Sequence, residues 1–196
     1  LAALQNCLAR LDLALARARY SAWLGAVKPE LGSQHWQLLE LRHPLLVWQE
    51  RQEGGAPVVP VSLQIEPNLR VVAITGPNTG GKTVTLKSLG LATLMARAGL
   101  FLPCQGTAKL PWCAAVLADI GDEQSLQQNL STFSGHVKRI ARILTAITNL
   151  QSAANGGLAP ALVLLDEVGA GTDPSEGSAL ATALLQQLAA TVQLSV

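Results

Sequence analysis

The chain has 196 residues, of which 49% are hydrophobic, and its 14 basic and 13 acidic residues nearly balance. This composition predicts a globular protein with a real core, and it lacks the excess of basic residues that would argue for nucleic-acid binding by this segment. The apolar runs are too short to span a bilayer and no basic leader precedes them, so we expect an intracellular protein without a membrane partner.

Cysteine and histidine usage argues against a metal site built from these residues. Cys7, Cys104 and Cys113 form an odd number without a CxxC pair, so neither a disulfide framework nor a zinc site is expected. We predict that these thiols are small and buried. His43 has no second histidine or cysteine at metal-ligand spacing and is interpreted as a hydrogen-bonded structural histidine.

Leucines spaced three and four residues apart between Leu1 and Trp23 predict a helix that packs against another helix. The segment Lys28–Ser33 breaks this pattern and should form a turn or linker. We therefore place a helix and linker in residues 1–33 and the main domain in residues 34–196. Because the chain starts within a helical pattern without methionine and stops on an apolar residue, we expect a segment of a larger protein, truncated at the C-terminus.

Short strands and turns are predicted in the first part of the main domain. Trp36–Leu41 fits a strand, and the polar segment Gln49–Pro57 should be an exposed loop. Val58–Ile65 alternates weakly and contains Pro60, which is compatible only with an edge strand. The apolar run Val71–Ile74 is expected to be the strand that leads into a glycine-rich loop.

This glycine-rich loop fits the P-loop pattern GxxxxGK[ST], with a strand before it and a helix after it. Its backbone N–H groups and the N-terminus of the following helix can surround phosphate oxygens, because glycines permit a close approach. Lys82 then supplies a catalytic charge to the β- and γ-phosphates of ATP, and the Thr83 hydroxyl is a ligand for Mg²⁺. The predicted nucleotide-binding residues are Gly76, Pro77, Asn78, Thr79, Gly80, Gly81, Lys82, Thr83 and Val84.

The helix after the P-loop should run to about Ala98 and end at Gly99. Pro103–Pro111 is loop-like, and Ala114–Ala118 is expected to return as a buried strand. The following segment, Asp119–Ser125, contains three carboxylates. It fits a solvated loop and the ligand-binding edge of a sheet equally well, so both interpretations stay open.

Two further sites for phosphate chemistry are predicted downstream. Ser131 is a good N-cap for a helix that fades at Asn149, and its hydroxyl with the first free N–H groups could bind a phosphate. Ala161–Leu165 reads as a strand buried on both faces. At its end, Asp166 would hold Mg²⁺ through water, and Glu167 would be the catalytic group that orients or deprotonates the attacking water.

The last part of the chain is predicted as the polar loop Gly169–Gly177, a helix from Ser178 to about Ala190 and the start of another strand at Thr191–Val196. Strands and helices thus alternate along the main domain. This order predicts an α/β fold with a mostly parallel central sheet flanked by helices.

Several segments together resemble the ATPase domain of the MutS family, which belongs to the ABC-type P-loop NTPases. The resemblance covers about residues 40–196, and the first helix would be the end of the lever arm that precedes this domain. The detailed pattern is closer to the second bacterial type, the recombination-suppressing branch with a C-terminal Smr domain. The matching segments are Arg42–Leu46, Gly76–Lys87, Asp119–Leu126, Ser131–Phe133, Asp166–Glu167 and Gly169–Pro174.

This resemblance implies a homodimer formed through the ATPase face, with nucleotide between the P-loop of one subunit and the signature helix of the other. Asn78 would lie beside the phosphates of its own subunit, Ser131 would reach the γ-phosphate bound by the partner, and Gly169–Asp173 would follow the dimer seam. The family has a histidine on the strand after the last helix, which lies beyond this chain. We therefore expect ATP and Mg²⁺ binding with weak or absent hydrolysis by this segment alone.

The resemblance also implies what the parent protein does. The first expectation is an ATP-driven dimeric clamp that binds branched DNA and suppresses homologous recombination, with endonuclease activity in a domain absent here. The second is a clamp that splits stalled or collided ribosomes. A third expectation, from a different class of function, concerns this segment alone, which would be a nucleotide-binding dimerisation module without turnover. The expected location is the bacterial cytoplasm, associated with the nucleoid or with ribosomes.

Overall fold

The structure is a computed structural model that describes residues 1–77, 81–121 and 129–196, with residues 129–133 described as backbone only. The chain divides into two compact units. One combines Leu1–Pro67 with Lys87–Trp112, and the other combines Asn68–Leu86 with Cys113–Val196. The units interleave along the chain, and the boundary between residues 33 and 34 stays a prediction. Across the described helices, none is long and apolar enough to cross a membrane.

The first unit is built around a four-stranded mixed sheet. Its elements are α1 Ala2–Leu24, β1 Pro29–Leu31, β2 Trp36–Leu41, α2 Pro44–Glu53, β3 Val61–Ile65 and β4 Gln105–Leu110. The strand order is β1-β4-β2-β3, with β1 parallel to β4 and β2 antiparallel to both β3 and β4. Trp36, Leu38 and Leu41 of β2 are buried, as expected for a sheet with one face in the core.

The second unit contains a parallel sheet with the order β5-β6-β7. Its elements are β5 Ala115–Asp119, α4 Asn129–Ala153, β6 Ala159–Leu165, α5 Pro174–Thr191 and β7 Val192–Ser195, together with the first turn of α3 Lys82–Arg97. Val72 N–H donates to the Ser195 carbonyl at 2.9 Å, and Ser195 N–H donates to the Arg70 carbonyl at 2.9 Å. The segment ahead of the P-loop therefore continues the sheet beyond β7.

The core of the second unit lies between its sheet and its two long helices. Apolar side chains recur every three or four residues along α4, so they form one stripe that faces the sheet. The four central residues of β6 are completely buried, as the unbroken apolar run predicts for a strand covered on both faces. The cluster includes Ile140, Ile143 and Ile147 of α4, Ala161 and Val163 of β6, and Leu184 and Leu188 of α5.

The predicted fold class, α/β with a parallel sheet and flanking helices, is confirmed in the second unit. The first helix and the end of α3 are also confirmed, since Gly99 has a φ of 74° and its N–H donates to the Ala96 carbonyl at 3.0 Å. The predicted edge strand is β3, which lies at the edge of its sheet.

The predicted turn or linker Lys28–Ser33 contains the strand β1, which pairs with β4. Two segments predicted as loops also form regular elements. Pro103–Pro111 contains β4, in which weak strand formers such as Gly106 are held by pairing with a strand on each side. Gln49–Pro57 overlaps α2, which continues to Glu53 and ends where Gly54 adopts a left-handed φ of 64°. In both cases neighbouring residues and caps outweigh the polar composition of the segment.

Three further predictions need correction. Val71–Ile74 makes a single parallel bridge to β7 rather than a regular strand. The predicted strand Ala114–Ala118 is β5, which is only partly buried because it lies at the edge of the sheet. Helix α4 begins at Asn129, two residues before the predicted N-cap, so Ser131 lies inside its first turn.

The N-terminal helix differs from expectation in what it buries. Its leucines are largely exposed, with Leu4 64% and Leu8 56% accessible to solvent. Cys7 on the same helix is exposed, so its predicted burial is wrong, whereas Cys104 and Cys113 are buried as predicted. The leucine spacing identifies the apolar face of the helix. Whether another part of the protein packs against that face depends on the tertiary structure.

Candidate functional site

The described ends of the P-loop are joined by the side chain of its lysine. Lys82 Nζ donates to the Gly76 carbonyl at 2.7 Å. Gly81 has a φ of 76°, which glycine adopts without strain, and its carbonyl accepts from Thr85 N–H at 2.9 Å in the first turn of α3. The remaining loop residues, Asn78, Thr79 and Gly80, lie outside the described part of the chain.

The P-loop threonine and the first carboxylate after β6 are in direct contact. Thr83 Oγ1 donates to Asp166 Oδ2 at 2.7 Å, although the two residues are 83 positions apart. Hydroxyl and carboxylate oxygens are the hard ligands that Mg²⁺ takes from a protein, while water and phosphate oxygens complete its shell. The pair therefore fits the predicted Mg²⁺ site.

Four of the predicted site residues border one cleft of about 450 Å³ in the second unit. Gly76 and Lys82 line it from the P-loop, and Asp166 and Glu167 line it from the end of β6. Both acids thus lie on the same side of the sheet as the lysine. The rest of the lining is mostly apolar and comes from Val71–Thr75, Leu86, Leu165, Val168, Leu185 and Val196. Among the described P-loop residues, Pro77, Gly81, Thr83 and Val84 are outside this lining.

The backbone has an uncommon conformation at the second cleft acid and in the loop that follows it. Glu167 is exposed and has a φ of 51°, a left-handed angle that costs a non-glycine residue energy and is often found at functional sites. Gly169 has a φ of 85°, and a Cβ placed on it would lie 2.5 Å from the Gly177 carbonyl oxygen. This backbone contact fixes the path of the loop and so the direction in which Glu167 is presented.

The second half of the predicted loop Gly169–Gly177 is helical, because α5 begins at Pro174. Asp173 is its N-cap and accepts a hydrogen bond from Ser175 N–H at 2.9 Å. The Ser175 side chain and then its N–H lower the pKa of the Asp173 carboxyl. The signal was present in the sequence, since an aspartate followed by proline and, at the third position, Glu176 is typical of a helix start.

A buried carboxylate joins the site to helix α4. Asp119, the last residue of β5, is only 3% exposed. Its Oδ2 lies 2.7 Å from His136 Nδ1 and its Oδ1 accepts from Arg139 Nε. Its backbone carbonyl accepts from Asp166 N–H at 2.9 Å. The sequence interpretation missed the His136 and Arg139 contacts, although two nitrogen-bearing side chains three positions apart on a helix share one face.

The structure tests the two interpretations left open for this segment only at Asp119, which ends β5 and is buried. Asp119 is neither in a solvated loop nor exposed at a ligand edge, because both of its oxygens are used by α4. The other carboxylates of that segment, Asp122 and Glu123, and the side chain of Ser131 lie outside the described residues.

The parallel sheet, the P-loop and the paired acids define a P-loop ATPase domain. The family model for MutS domain V matches residues 72–196, so the chain belongs to the MutS family. It is 60% identical over 192 residues to Endonuclease MutS2 of Synechocystis sp., covering 92% of this chain and 23% of that protein.

Two other relatives with the same name show a similar relationship. Endonuclease MutS2 of Geobacillus kaustophilus is 46% identical over 184 residues, which cover 93% of this chain and 21% of the relative. That of Thermomicrobium roseum is 47% identical over 185 residues, which cover 92% of this chain and 22% of the relative. The chain therefore spans about a fifth of the length of these relatives.

Proposed function

We propose that this chain binds ATP with Mg²⁺ and is the ATPase domain of a dimeric, DNA-binding MutS-type protein, with hydrolysis carried out by the full-length protein. The observation that carries the proposal is the 2.7 Å hydrogen bond between Thr83 and Asp166, beside the lysine of the P-loop. Two oxygen ligands from distant parts of the chain meet where a glycine-rich loop and a helix N-terminus provide an anion site.

Each side chain of the cleft has a separate role in the proposal. Lys82 leaves the Gly76 carbonyl and binds the β- and γ-phosphates, while Thr83 and Asp166 hold the cation. Mg²⁺, when bound, neutralises charge that develops on the transferred phosphoryl group. Glu167 is exposed at the cleft and orients or deprotonates water for attack on the γ-phosphate.

The proposed dimer places a second copy of the chain against this cleft. Ser131 in the first turn of α4 would donate to the γ-phosphate held by the partner subunit, where the free N–H groups of a helix favour an anion. The loop Gly169–Asp173 would lie along the seam between subunits. The short backbone contact of Gly169 supports a loop rigid enough to form part of an interface.

For the whole protein we propose a clamp on branched DNA that limits homologous recombination. The names of the relatives, which describe endonucleases, support nucleic acid as the partner of those proteins. Nuclease activity would belong to a part of the protein outside this chain. Binding of four-way DNA junctions and of collided ribosomes by the full-length protein, measured side by side, would distinguish this function from ribosome splitting, which stays a prediction.

Nucleotide titration and phosphate release from the full-length protein test the ATPase proposal. Lys82→Ala should weaken ATP binding by about 1.5 to 3 kcal/mol, since it removes a charge-assisted contact. Glu167→Gln should bind ATP normally and turn over at least ~100-fold more slowly, because it keeps the shape but loses the base. Unchanged ATP affinity in the lysine variant, or normal turnover in the glutamine variant, would contradict these roles.

The same measurements on this chain alone test the prediction that it binds ATP with weak or absent hydrolysis. Brisk phosphate release by the isolated segment would show that no group outside it is needed for turnover. Binding without turnover in both the segment and the full-length protein would favour a nucleotide-dependent dimerisation module.

A further inference from the structure

We infer that Asp119, His136 and Arg139 form a positioning link, which couples the metal-site aspartate to the orientation of helix α4. This inference rests on the proposed ATPase function, because it concerns how the two halves of that site are held together. None of the three side chains lines the cleft or belongs to the P-loop. Their proposed effect on catalysis is therefore exerted through other residues.

The link is geometrically well defined. The Asp119 side chain is 4% exposed, and each of its oxygens has a partner on α4, His136 Nδ1 at 2.7 Å and Arg139 Nε. His136 and Arg139 are three residues apart, so they occupy one helix face and contact the carboxylate together. A buried carboxylate with both oxygens bound in charge-assisted bonds leaves the helix little freedom to rotate about its axis.

The direction of the hydrogen bonds also follows from the distances. Arg139 Nη2 lies 3.3 Å from His136 Nδ1, but a guanidinium only donates, so it competes with Asp119 for that nitrogen. The contact to Asp119 is shorter and brings an acceptor to the ring, which assigns the proton to Nδ1. Asp119 therefore sets both the tautomer and the orientation of the His136 ring.

The link continues into the proposed metal site through the backbone. Asp166 N–H donates to the Asp119 carbonyl at 2.9 Å, and Asp166 Oδ2 accepts from Thr83 Oγ1 at 2.7 Å. Hydrogen bonds through Asp166 and then Asp119 thus connect the P-loop threonine to α4. His136 follows Ser131 by five residues, roughly 7.5 Å along the helix axis. A rotation of α4 at His136 therefore displaces the residue proposed to meet the partner's γ-phosphate.

The test compares His136→Ala with His136→Asn in the full-length protein. Asparagine places an amide N–H near the position of Nδ1 and can keep the bond to Asp119, whereas alanine cannot. We expect His136→Ala to lower kcat by at least ~10-fold, because small displacements of catalytic groups are costly, and to change the ATP dissociation constant less than ~3-fold. His136→Asn should recover most of the wild-type kcat.

Arg139→Ala should behave like His136→Ala. Arg142→Ala is its matched control, since Arg142 is the same residue type on the same helix and is exposed. The double variant Asp119→Ala with His136→Ala should be no slower than Asp119→Ala alone, because both changes break one link. Thermal unfolding of each variant is measured in parallel and gives the fraction of folded protein. Each kcat is then calculated per folded molecule.

The outcomes separate the link from the proposed function. Wild-type turnover that Lys82→Ala does not reduce would overturn the ATPase proposal and the link with it. Normal wild-type turnover with unchanged kcat in His136→Ala and Arg139→Ala would overturn the link alone. Equal losses of kcat in His136→Asn and His136→Ala would also overturn the link. The same holds for a loss of kcat that disappears when kcat is calculated per folded molecule, because residues that only stabilise the fold would behave in this way.

Discussion

Burial shifts the pKa values of His43 and Cys104 in the first unit. His43 is 9% exposed, and within the described part of the chain its Nδ1 has no hydrogen-bond partner, so the predicted hydrogen bond is absent at this atom. Burial, followed by the positive charge of Lys87, lowers the pKa of His43. Burial likewise raises the pKa of the Cys104 thiol to about 12, against a smaller opposite effect of Arg42.

The lowered pKa of His43 predicts that the protein is destabilised by acid. The unfolded chain protonates this histidine near pH 6.5, whereas the folded chain resists protonation. Stability from this group is therefore complete above about pH 6.5 and falls below it, by at most ~1.4 kcal/mol per pH unit until the folded-state pKa is reached. Urea unfolding between pH 7 and pH 5 measures the slope.

Two variants check that the slope belongs to His43. His43→Gln should flatten it, because the titrating group is lost. Lys87→Met should reduce it by raising the folded-state pKa of the histidine, since one of the two causes of the lowering is removed. An acid slope that is the same in His43→Gln and in the wild type would assign the effect to other groups.

The cysteines are predicted to differ in reactivity with a thiol reagent at pH 8. Cys7 is exposed and should react within minutes, whereas Cys104 and Cys113 are buried and should be protected until the protein unfolds. Peptide mass mapping after labelling the native and the denatured protein locates the modified residues. Cys7→Ser is the control, and rapid native labelling of Cys104 would contradict the prediction.

At the scale of elements, a close backbone approach and a side-chain contact hold the start of α5 and the end of α1. Gly169 and Gly177 approach so closely that a Cβ on either would lie 2.5 Å from a carbonyl oxygen of the other. At the other end of the chain, Arg51 of α2 donates to the Trp23 carbonyl and its guanidinium lies 5.1 Å from the centre of the Trp23 ring. The end of α1 is thus anchored within its own unit while its leucine face is exposed.

The glycine contact predicts a strong position dependence of alanine substitution. Gly169→Ala and Gly156→Ala both place alanine at a left-handed φ, 85° and 80° respectively. The second has none of the described atoms within 4 Å of the new Cβ and should cost only about 1 to 2 kcal/mol of backbone strain. The first should cost roughly 1 to 3 kcal/mol more, because the Cβ meets backbone that cannot move aside without shifting α5.

Chemical denaturation of both variants measures this difference. Turnover provides a second measurement, since the Gly169 loop presents Glu167 whereas the Gly156 turn lies at the opposite end of β6. Equal losses of stability and normal turnover in both variants would show that the Gly169 contact is dispensable.

At the scale of the whole molecule, one cleft brings together residues separated by more than eighty positions. The pairing of β5, β6 and β7 in one direction places the ends of β5 and β6 at the same edge of the sheet. Asp119, Asp166 and the P-loop threonine meet there for that reason. A second subunit facing this edge would complete the site from outside, which is the arrangement proposed for Ser131.

The proposed dimer predicts that ATP promotes self-association. Light scattering of the full-length protein with ATP and Mg²⁺ should show twice the monomer mass in the Glu167→Gln variant, which is expected to bind nucleotide without consuming it. Lys82→Ala should show no ATP-dependent change, since it cannot hold the phosphates. A mass that is independent of nucleotide in every variant would exclude an ATP-dependent dimer.

Much of the site could be predicted from sequence because its chemistry is local. The P-loop pattern occupies eight consecutive residues, in which glycines allow the required backbone conformations. The flanking residues predict the order strand, loop, helix. The unbroken apolar run before Asp166 predicts a buried strand and so places the carboxylate at its end. These patterns act over distances of a few residues, and the structure places Lys82, Asp166 and Glu167 around one cleft as a result.

The sequence by itself thus determined the family, the α/β class and the polar cleft residues Lys82, Asp166 and Glu167. Only the tertiary structure decided that Asp119 is paired with α4, that β4 is a strand, and that Cys7 is exposed while Cys104 is buried. Each of these depends on a neighbour far away in the chain. Pairing, burial and ion-pair formation are set by what lies across the fold, which residue types and their spacing along the sequence do not encode.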